Sequence, residues 1–202
     1  MSRTDTIKAD KAALRQQLRA ALKKMTPVER EAASRHACSR LEQQPLWQKS
    51  KAILFYAPTL GEVDVWPLLV DSLEAGKAVF LPRYSTEEKT YVACQVTDAV
   101  RDLRTGQFGI REPHDACAKI SSNRLDLILV PGLGFDFDGH RLGRGKGFYD
   151  QLLTELQGTT CGVAFDQQIV SRVPAEPHDM RLSCILTPTR WHCASDPRAA
   201  LK

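Results

Sequence analysis

The sequence predicts an α/β protein built on a mostly parallel sheet with helices on both faces. Three observations lead there. Short apolar runs alternate with amphipathic helical stretches through most of the 202 residues. One run, Leu127-Ile128-Leu129-Val130, is apolar without a break, as a strand buried on both faces requires. It leads through a glycine-rich turn into a new helical pattern, the strand–turn–helix unit of parallel sheets. The length suits one domain, with amino-terminal helices over about 8–42 and an α/β core over about 50–190.

The elements follow in order. Residues 8–25 read as an amphipathic helix with Leu14, Leu18, Leu22 and Met25 as its apolar stripe. Lys11 and Arg15, four apart, project beside that stripe; by spacing alone they form the solvated basic face common to surface helices. A second helix opens at Thr26-Pro27-Val28-Glu29, with an N-cap threonine, proline at the first helical position and glutamate closing a capping box. It runs to about Leu41. Residues 52–56 form a strand, and Glu62 falls just past its end, where such sheets place ligand contacts; an exposed loop glutamate is the commoner explanation. Pro67 opens a helix that Gly76 ends. Residues 78–81 form a strand continuing into Pro82-Arg83-Tyr84, and residues 91–96 read as a strand at an edge.

Residues 104–113 are turn-rich and hold Phe108 between two glycine-containing turns, packing filler by default or a platform for a flat ligand. Phe148, Leu152, Leu153 and Leu156 have helical spacing, so a helix starts near Gly147. Residues 160–165 and 183–186 supply the remaining strands. Asp179 follows a proline-bounded turn, as ordinary turn chemistry or as a metal ligand, and His178 alone makes no metal site.

The chemistry concentrates in the turn before the last helix. There Gly139, Gly143, Gly145 and Gly147 interleave with Arg141, Arg144 and Lys146. Glycines let backbone N–H groups approach a phosphate, the helix dipole favours the anion, and three neighbouring cations repel one another without one. The named phosphate motifs nevertheless fail. A Walker A loop would need glycine at His140 and Ser or Thr at Gly147, and Gly147 arrives one residue early for a dinucleotide fingerprint. An EF-hand reading of Asp136, Asp138 and Gly139, with Gly139 at the sixth loop position, would need glutamate at Gly145. A glycine-rich surface turn with solvated charges is the bland alternative.

Composition narrows the class. Hydrophobic content of 43% and charged content of 26% are those of a soluble globular domain, and a net charge of +4 suits polyanionic small molecules without demanding nucleic acid. Six scattered cysteines form no CxxC pair, and His192-Cys193 lacks a second ligand pair for zinc. A reducing, cytoplasmic setting is expected, with no membrane span and no secretory signal.

The run PGLGFDFDGHRLGRGKGFYD, residues 131–150, resembles the signature of the 5-formyltetrahydrofolate cyclo-ligase (methenyltetrahydrofolate synthetase) family. Lys11-Ala12-Ala13-Leu14-Arg15 is similar to the K-x-x-L-R that opens that family. Gly61-Glu62-Val63, Leu81-Pro82-Arg83 and Pro177-His178-Asp179-Met180 fall in its order and approximate spacing, so the resemblance covers Lys11 to about Thr187. It implies a three-layer α/β/α fold of the kind shared with ribose-phosphate isomerases and coenzyme A transferases. It implies conversion of 5-formyltetrahydrofolate to 5,10-methenyltetrahydrofolate, with ATP as co-substrate and Mg²⁺ as metal. ATP contacts are implied at Lys11, Arg15, Arg141, Leu142, Gly143, Arg144, Gly145, Lys146, Gly147, Phe148 and Tyr149. Folate contacts are implied at Glu62, Phe108, Arg144, Gly145, Lys146, Gly147 and Phe148, metal ligands at Asp150 and Asp179, and catalytic charge at Arg144 and Lys146. The partners are then a reduced folate and ATP, with a monomer expected.

Three positions depart from the family pattern. Phe148 precedes Tyr149 where many relatives have two tyrosines, Ser183 stands where an aspartate is frequent, and Phe108 where some carry tryptophan. The rival readings are a sugar-phosphate isomerase or coenzyme A transferase on the same type of sheet, and a nucleotide- or RNA-binding module without chemistry.

Overall fold

A computed structural model describes residues 3–106, 109–120, 125–145, 147–176 and 179–193. The chain runs α1 (Arg3–Lys23), α2 (Pro27–Glu42), α3 (Pro45–Lys49), β1 (Ala52–Leu54), α4 (Trp66–Glu74), β2 (Ala78–Ser85) and β3 (Thr90–Val96). A small hairpin follows, β4 (Leu103–Thr105) and β5 (Arg111–Pro113), then β6 (Leu127–Val130) and a second hairpin, β7 (Gly134–Phe135) with β8 (Arg141–Leu142). The remainder is α5 (Phe148–Glu155), β9 (Thr159–Val163), a 3-10 turn (Asp166–Gln168), β10 (Cys184–Leu186) and β11 (Trp191–Cys193).

Seven strands make the central sheet in the order β11-β10-β9-β6-β1-β2-β3. The five inner strands are parallel, and β3 and β11 run antiparallel at the two edges. The period-two pattern sorts side chains between the faces. Ile53, Val79, Leu81, Leu127, Leu129 and Val163 pack with Leu41 of α2, Trp47 of α3 and Leu68 and Leu69 of α4. Leu54, Phe80, Ile128, Val130 and Ile185 pack on the other face with Leu152 and Leu153 of α5. Burying each of these Leu or Ile side chains is worth about 2 kcal/mol, so the two covered faces explain why β6 is apolar at every position. The expected mostly parallel α/β architecture is the observed one.

Local signals acted as their chemistry requires. The Thr26 hydroxyl accepts the Glu29 N–H at 3.2 Å while the Glu29 carboxylate accepts the Thr26 N–H at 2.7 Å, completing the capping box. Gly76 takes φ +72° just after α4 and stops it. The first strand ends at Leu54 rather than residue 56, but Phe55 and Tyr56 stay in the core and the Phe55 N–H still bonds the Phe80 carbonyl at 2.9 Å.

Sheet order positions the site. After β1 the chain adds β2 and then β3 on one side; after β6 it adds β9 and β10 on the other. The direction of growth therefore reverses between β1 and β6, which are parallel neighbours. Their carboxyl-terminal loops diverge at that point and leave a crevice, the place where open α/β sheets bind ligands.

Candidate functional site

The loop after β1 is a tight turn. The Glu62 N–H donates to the Thr59 carbonyl at 2.9 Å, and the Glu62 carboxylate accepts the Thr59 N–H at 2.9 Å and its hydroxyl at 3.0 Å. Arg144, from the loop after β6, closes over it with Nη2 at 2.8 Å from Glu62 Oε1 and 2.6 Å from the Thr59 hydroxyl. The Glu62 side chain is only 7% exposed, so this carboxylate is built into the crevice rather than displayed on a loop.

The loop after β6 is held from beneath. The β7–β8 hairpin turns around Asp136, which is 1% exposed and accepts the N–H groups of Asp138 (3.1 Å), His140 (2.9 Å) and Val173 (2.8 Å). His140 Nδ1 lies 3.1 Å from the same carboxylate. Asp136, Asp138 and His140 bring ligand-type atoms within 4.8 Å of one another, but backbone donors already fill the Asp136 oxygens, and the cluster works as a clamp on the turn. Gly139 takes φ +87°, and a Cβ there would lie 2.5 Å from the Leu182 carbonyl oxygen, so the turn requires glycine.

Helix α1 lies across this loop. Lys11, Arg15 and Leu18 occupy one face of α1. Leu18 packs with Leu142, Arg15 Nε donates to the Gly143 carbonyl at 2.9 Å, and Lys11 Nζ bonds Asp179 at 2.7 Å and Glu176 at 3.2 Å. Burial penalises the Lys11 ammonium, but the two carboxylates outweigh it and raise its pKa above the ordinary 10.5.

Beside these loops opens a cavity of about 490 Å³, a size suited to a small ligand. Tyr56, Pro82, Tyr91, Pro131 and Tyr149 give it flat apolar walls, while Glu62, Glu112, Arg19, Arg111, Arg141 and Arg144 give it polar ones. The Arg141 side chain is 5% exposed; Nη1 donates to the Pro131 carbonyl at 3.0 Å and Nη2 to Asp150 at the cavity edge. The Arg111 guanidinium lies 3.6 Å from the Trp66 ring centroid. The Tyr149 hydroxyl is buried with no hydrogen-bond partner among the described residues. Burial, then the nearby Glu62 carboxylate, pushes that phenol well above its usual pKa, so it remains a donor.

Of the residues singled out from sequence, Glu62, Arg141, Gly143, Arg144, Gly147, Tyr149 and Asp150 border this one cavity. Arg15 touches its loop from α1, and Leu142 lies in the core beneath. Gly145 and Gly147 have φ +107° and +72°, the conformations that placed glycine there. Asp179 is bonded to Lys11 and to the Glu176 N–H (2.8 Å), whereas Asp150 is bonded to Arg141. Ser183 turns toward β9, its N–H on the Thr160 hydroxyl at 3.0 Å. Phe108, Lys146 and His178, and the side chain of Phe148, lie outside the described residues.

Sequence reasoning missed Arg19, Tyr91, Arg111 and Glu112. Arg19 stands four residues after Arg15, as Arg15 does after Lys11, and that spacing was the available signal. Glu112 carried none: it is 8% exposed in a three-residue strand, and a Cβ on Gly106 would lie 2.3 Å from its carboxyl carbon.

Comparison with known proteins finds relatives along nearly the whole chain. The 5-formyltetrahydrofolate cyclo-ligase family model matches residues 7–188. The 5-formyltetrahydrofolate cyclo-ligase of Mus musculus is 31% identical over 192 residues, covering 90% of this chain and 95% of that protein. The Escherichia coli K12 protein of the same name is 29% identical, covering 82% and 93%. Among solved structures, 5,10-methenyltetrahydrofolate synthetase of Aquifex aeolicus superposes with a TM-score of 0.84 at 32% identity, covering 93% of this chain and 94% of that one.

Proposed function

The chain belongs to the 5-formyltetrahydrofolate cyclo-ligase family, and on that premise we propose that it converts 5-formyltetrahydrofolate to 5,10-methenyltetrahydrofolate with ATP as co-substrate, releasing ADP and phosphate. The observation that carries this reading is the Arg144–Glu62 bridge between the loops after β6 and β1. It joins a cation-lined glycine loop to an aromatic cavity at the switch point of the sheet. A phosphate donor and a flat heterocycle need those two surfaces side by side.

The reaction explains the residue types. A formamide oxygen is a poor leaving group. Its attack on the γ-phosphorus of ATP converts it to a phosphate ester, N10 then adds to the same carbon, and phosphate departs as the ring closes. Phosphoryl transfer depends mainly on positioning and on charge stabilisation at the transferring oxygens. In this reading Arg144 and Arg141 supply guanidinium charge there, with Lys146 as the third cation of the loop. Arg15 and Lys11 fasten α1 over the phosphates. Glu62 and the protonated Tyr149 hydroxyl offer an acceptor and a donor to the pterin, between walls formed by Tyr56 and Tyr91.

Mg²⁺ would neutralise charge on the phosphates. Asp150 suits it, being an oxygen donor at the cavity edge with a side chain 55% exposed. Asp179 is the second carboxylate; its Lys11 partner can turn to a phosphate oxygen and leave that carboxylate to the cation. Among the described residues no helix is long and apolar enough to cross a membrane.

The test mixes purified protein with 5-formyltetrahydrofolate, ATP and Mg²⁺ and follows the ultraviolet absorbance of the methenyl product. Product that requires ATP and the folate together is expected. Folded protein that binds both and forms none would overturn the proposal.

A further inference from the structure

Three cysteines stand in one row across three adjacent strands, far in sequence from the glycine loop. Cys184 on β10 is in register with Cys161 of β9 on one side and with Cys193 of β11 on the other. Cys161 and Cys184 are buried, and Cys193 is exposed at the sheet edge.

The parity of the β10–β11 ladder fixes how Cys184 and Cys193 face each other. The Thr187 N–H donates to the Arg190 carbonyl at 2.8 Å, so those two residues form a hydrogen-bonded pair at the turn. Counting back, Leu186–Trp191 is a non-hydrogen-bonded pair, Ile185–His192 a hydrogen-bonded one, and Cys184–Cys193 again non-hydrogen-bonded. At such positions the Cα atoms lie about 4.5 Å apart and the side chains approach most closely, inside the separation of about 4.4–6.8 Å that a disulfide spans. Cys161 faces Cys184 across a parallel pair and is wholly buried, which removes it from contact with oxidants.

We propose that Cys193 and Cys184 form a two-thiol redox site in which a hydroperoxide oxidises Cys193 and Cys184 resolves it to a disulfide across β10 and β11. The Cys193 thiolate attacks one peroxide oxygen, the O–O bond breaks, and sulfenic acid and hydroxide form. The Cys184 sulfur then displaces the sulfenic oxygen, which leaves as water once protonated. In sum, two thiols and one hydrogen peroxide give one disulfide and two waters, with the sulfurs oxidised and the peroxide reduced. The order of events follows from environment. Burial, then the neighbouring Cys193 thiol, raises the Cys184 pKa, so the exposed cysteine meets the oxidant first. The staple would pin the edge strand whose His192 Nε2 lies 2.9 Å from the Phe137 carbonyl in the β7–β8 hairpin.

The full-length protein is treated with hydrogen peroxide, blocked with an alkylating agent, digested without reduction and mapped by mass spectrometry. The expected product is a Cys184–Cys193 cross-linked peptide lighter by two hydrogens and restored to two thiols by a phosphine reductant. Cys193→Ser, at an exposed position, should leave Cys184 alkylatable, and Cys184→Ser should leave Cys193 as a sulfenic acid trapped by a cyclic dione. Cys117→Ser should still form the cross-link. Wild-type protein in which Cys193 is unreacted, is oxidised past the sulfenic acid while Cys184 stays reduced, or is joined to a different cysteine would overturn the proposal.

Discussion

Arg141→Lys keeps the charge of the most deeply buried cation in the cavity and removes its fork, which makes it the sharpest test of that side chain. The guanidinium serves two acceptors at once, the Pro131 carbonyl at 3.0 Å and Asp150, while its carbon lies 5.9 Å from the Tyr149 ring centroid. A lysine ammonium is a point charge at the end of a flexible stem and cannot bridge both. Leaving the buried Pro131 carbonyl without its donor costs about 1–3 kcal/mol. Releasing Asp150 adds about 0–1 kcal/mol, because that side chain is 55% exposed and water replaces the cation. A fall of about 1–4 kcal/mol in unfolding free energy is therefore expected by thermal or denaturant melting. Turnover, followed by methenyl absorbance below the lowered melting temperature, should drop by about 10²–10³-fold, the scale for losing one preorganised hydrogen-bond donor to a transferring group. A lysine variant within about threefold of wild type, with an unmoved midpoint, would refute the fork argument. Lost stability with intact turnover would instead make Arg141 scaffold.

Tyr149→Phe deletes a buried hydroxyl that has no partner among the described residues. The ligand-free protein should hold or gain up to about 1 kcal/mol while the KM for the folate rises, since the ligand supplies the missing acceptor; an unchanged KM would count against that contact. Lys11→Met tests the α1 strap through pH. Because the folded pKa of Lys11 is raised, its stabilisation is complete below 10.5 and is lost as pH rises through the folded value. The gap in melting temperature between wild type and variant should thus stay constant from neutral pH and narrow only above 10.5; a gap that closes between neutral pH and 10.5 would place the coupling elsewhere. Asp150→Asn should move the Mg²⁺ titration of activity to higher concentration by about tenfold or more, at least the cost of losing a metal site's outer-shell partner. An unshifted titration would remove Asp150 from the proposed metal site.

Much of the fold was legible because its signals are local. The capping box at Thr26 and the Gly76 stop act through neighbours a few residues away, and the unbroken apolar run of β6 is readable within four consecutive positions. The elements that escaped are those whose existence depends on distant partners. Strand β11 spans three residues, Trp191–Cys193, and is a strand only because β10 lies beside it. The β7–β8 hairpin is two residues against two and depends on the buried Asp136 carboxylate and on Val173, 37 positions away. Propensity read over so short a window carries little information against such tertiary bonds.

The site shows the same division at larger scale. Glu62 and Arg144 are 82 residues apart and meet because β1 and β6 are neighbours, a fact of sheet order that no window of sequence contains. Glycine spacing marked where an anion could approach, yet the partner loop and the cavity between them followed from the reversal of direction at β1. Helix α1 stands between these extremes. Lys11, Arg15 and Arg19 recur every four residues, so each is rotated by about 40° from the last and all three stay on one side of the helix. A solvated face has no need for that alignment beside an apolar stripe. In the folded chain Leu18 packs with Leu142 and fixes the rotation of α1. With the helix so turned, Lys11 meets Asp179, Arg15 meets Gly143 and Arg19 reaches the cavity wall. The apolar stripe therefore aims the charges, and shortening Leu18 should disturb phosphate binding through the helix it orients rather than through any contact of its own.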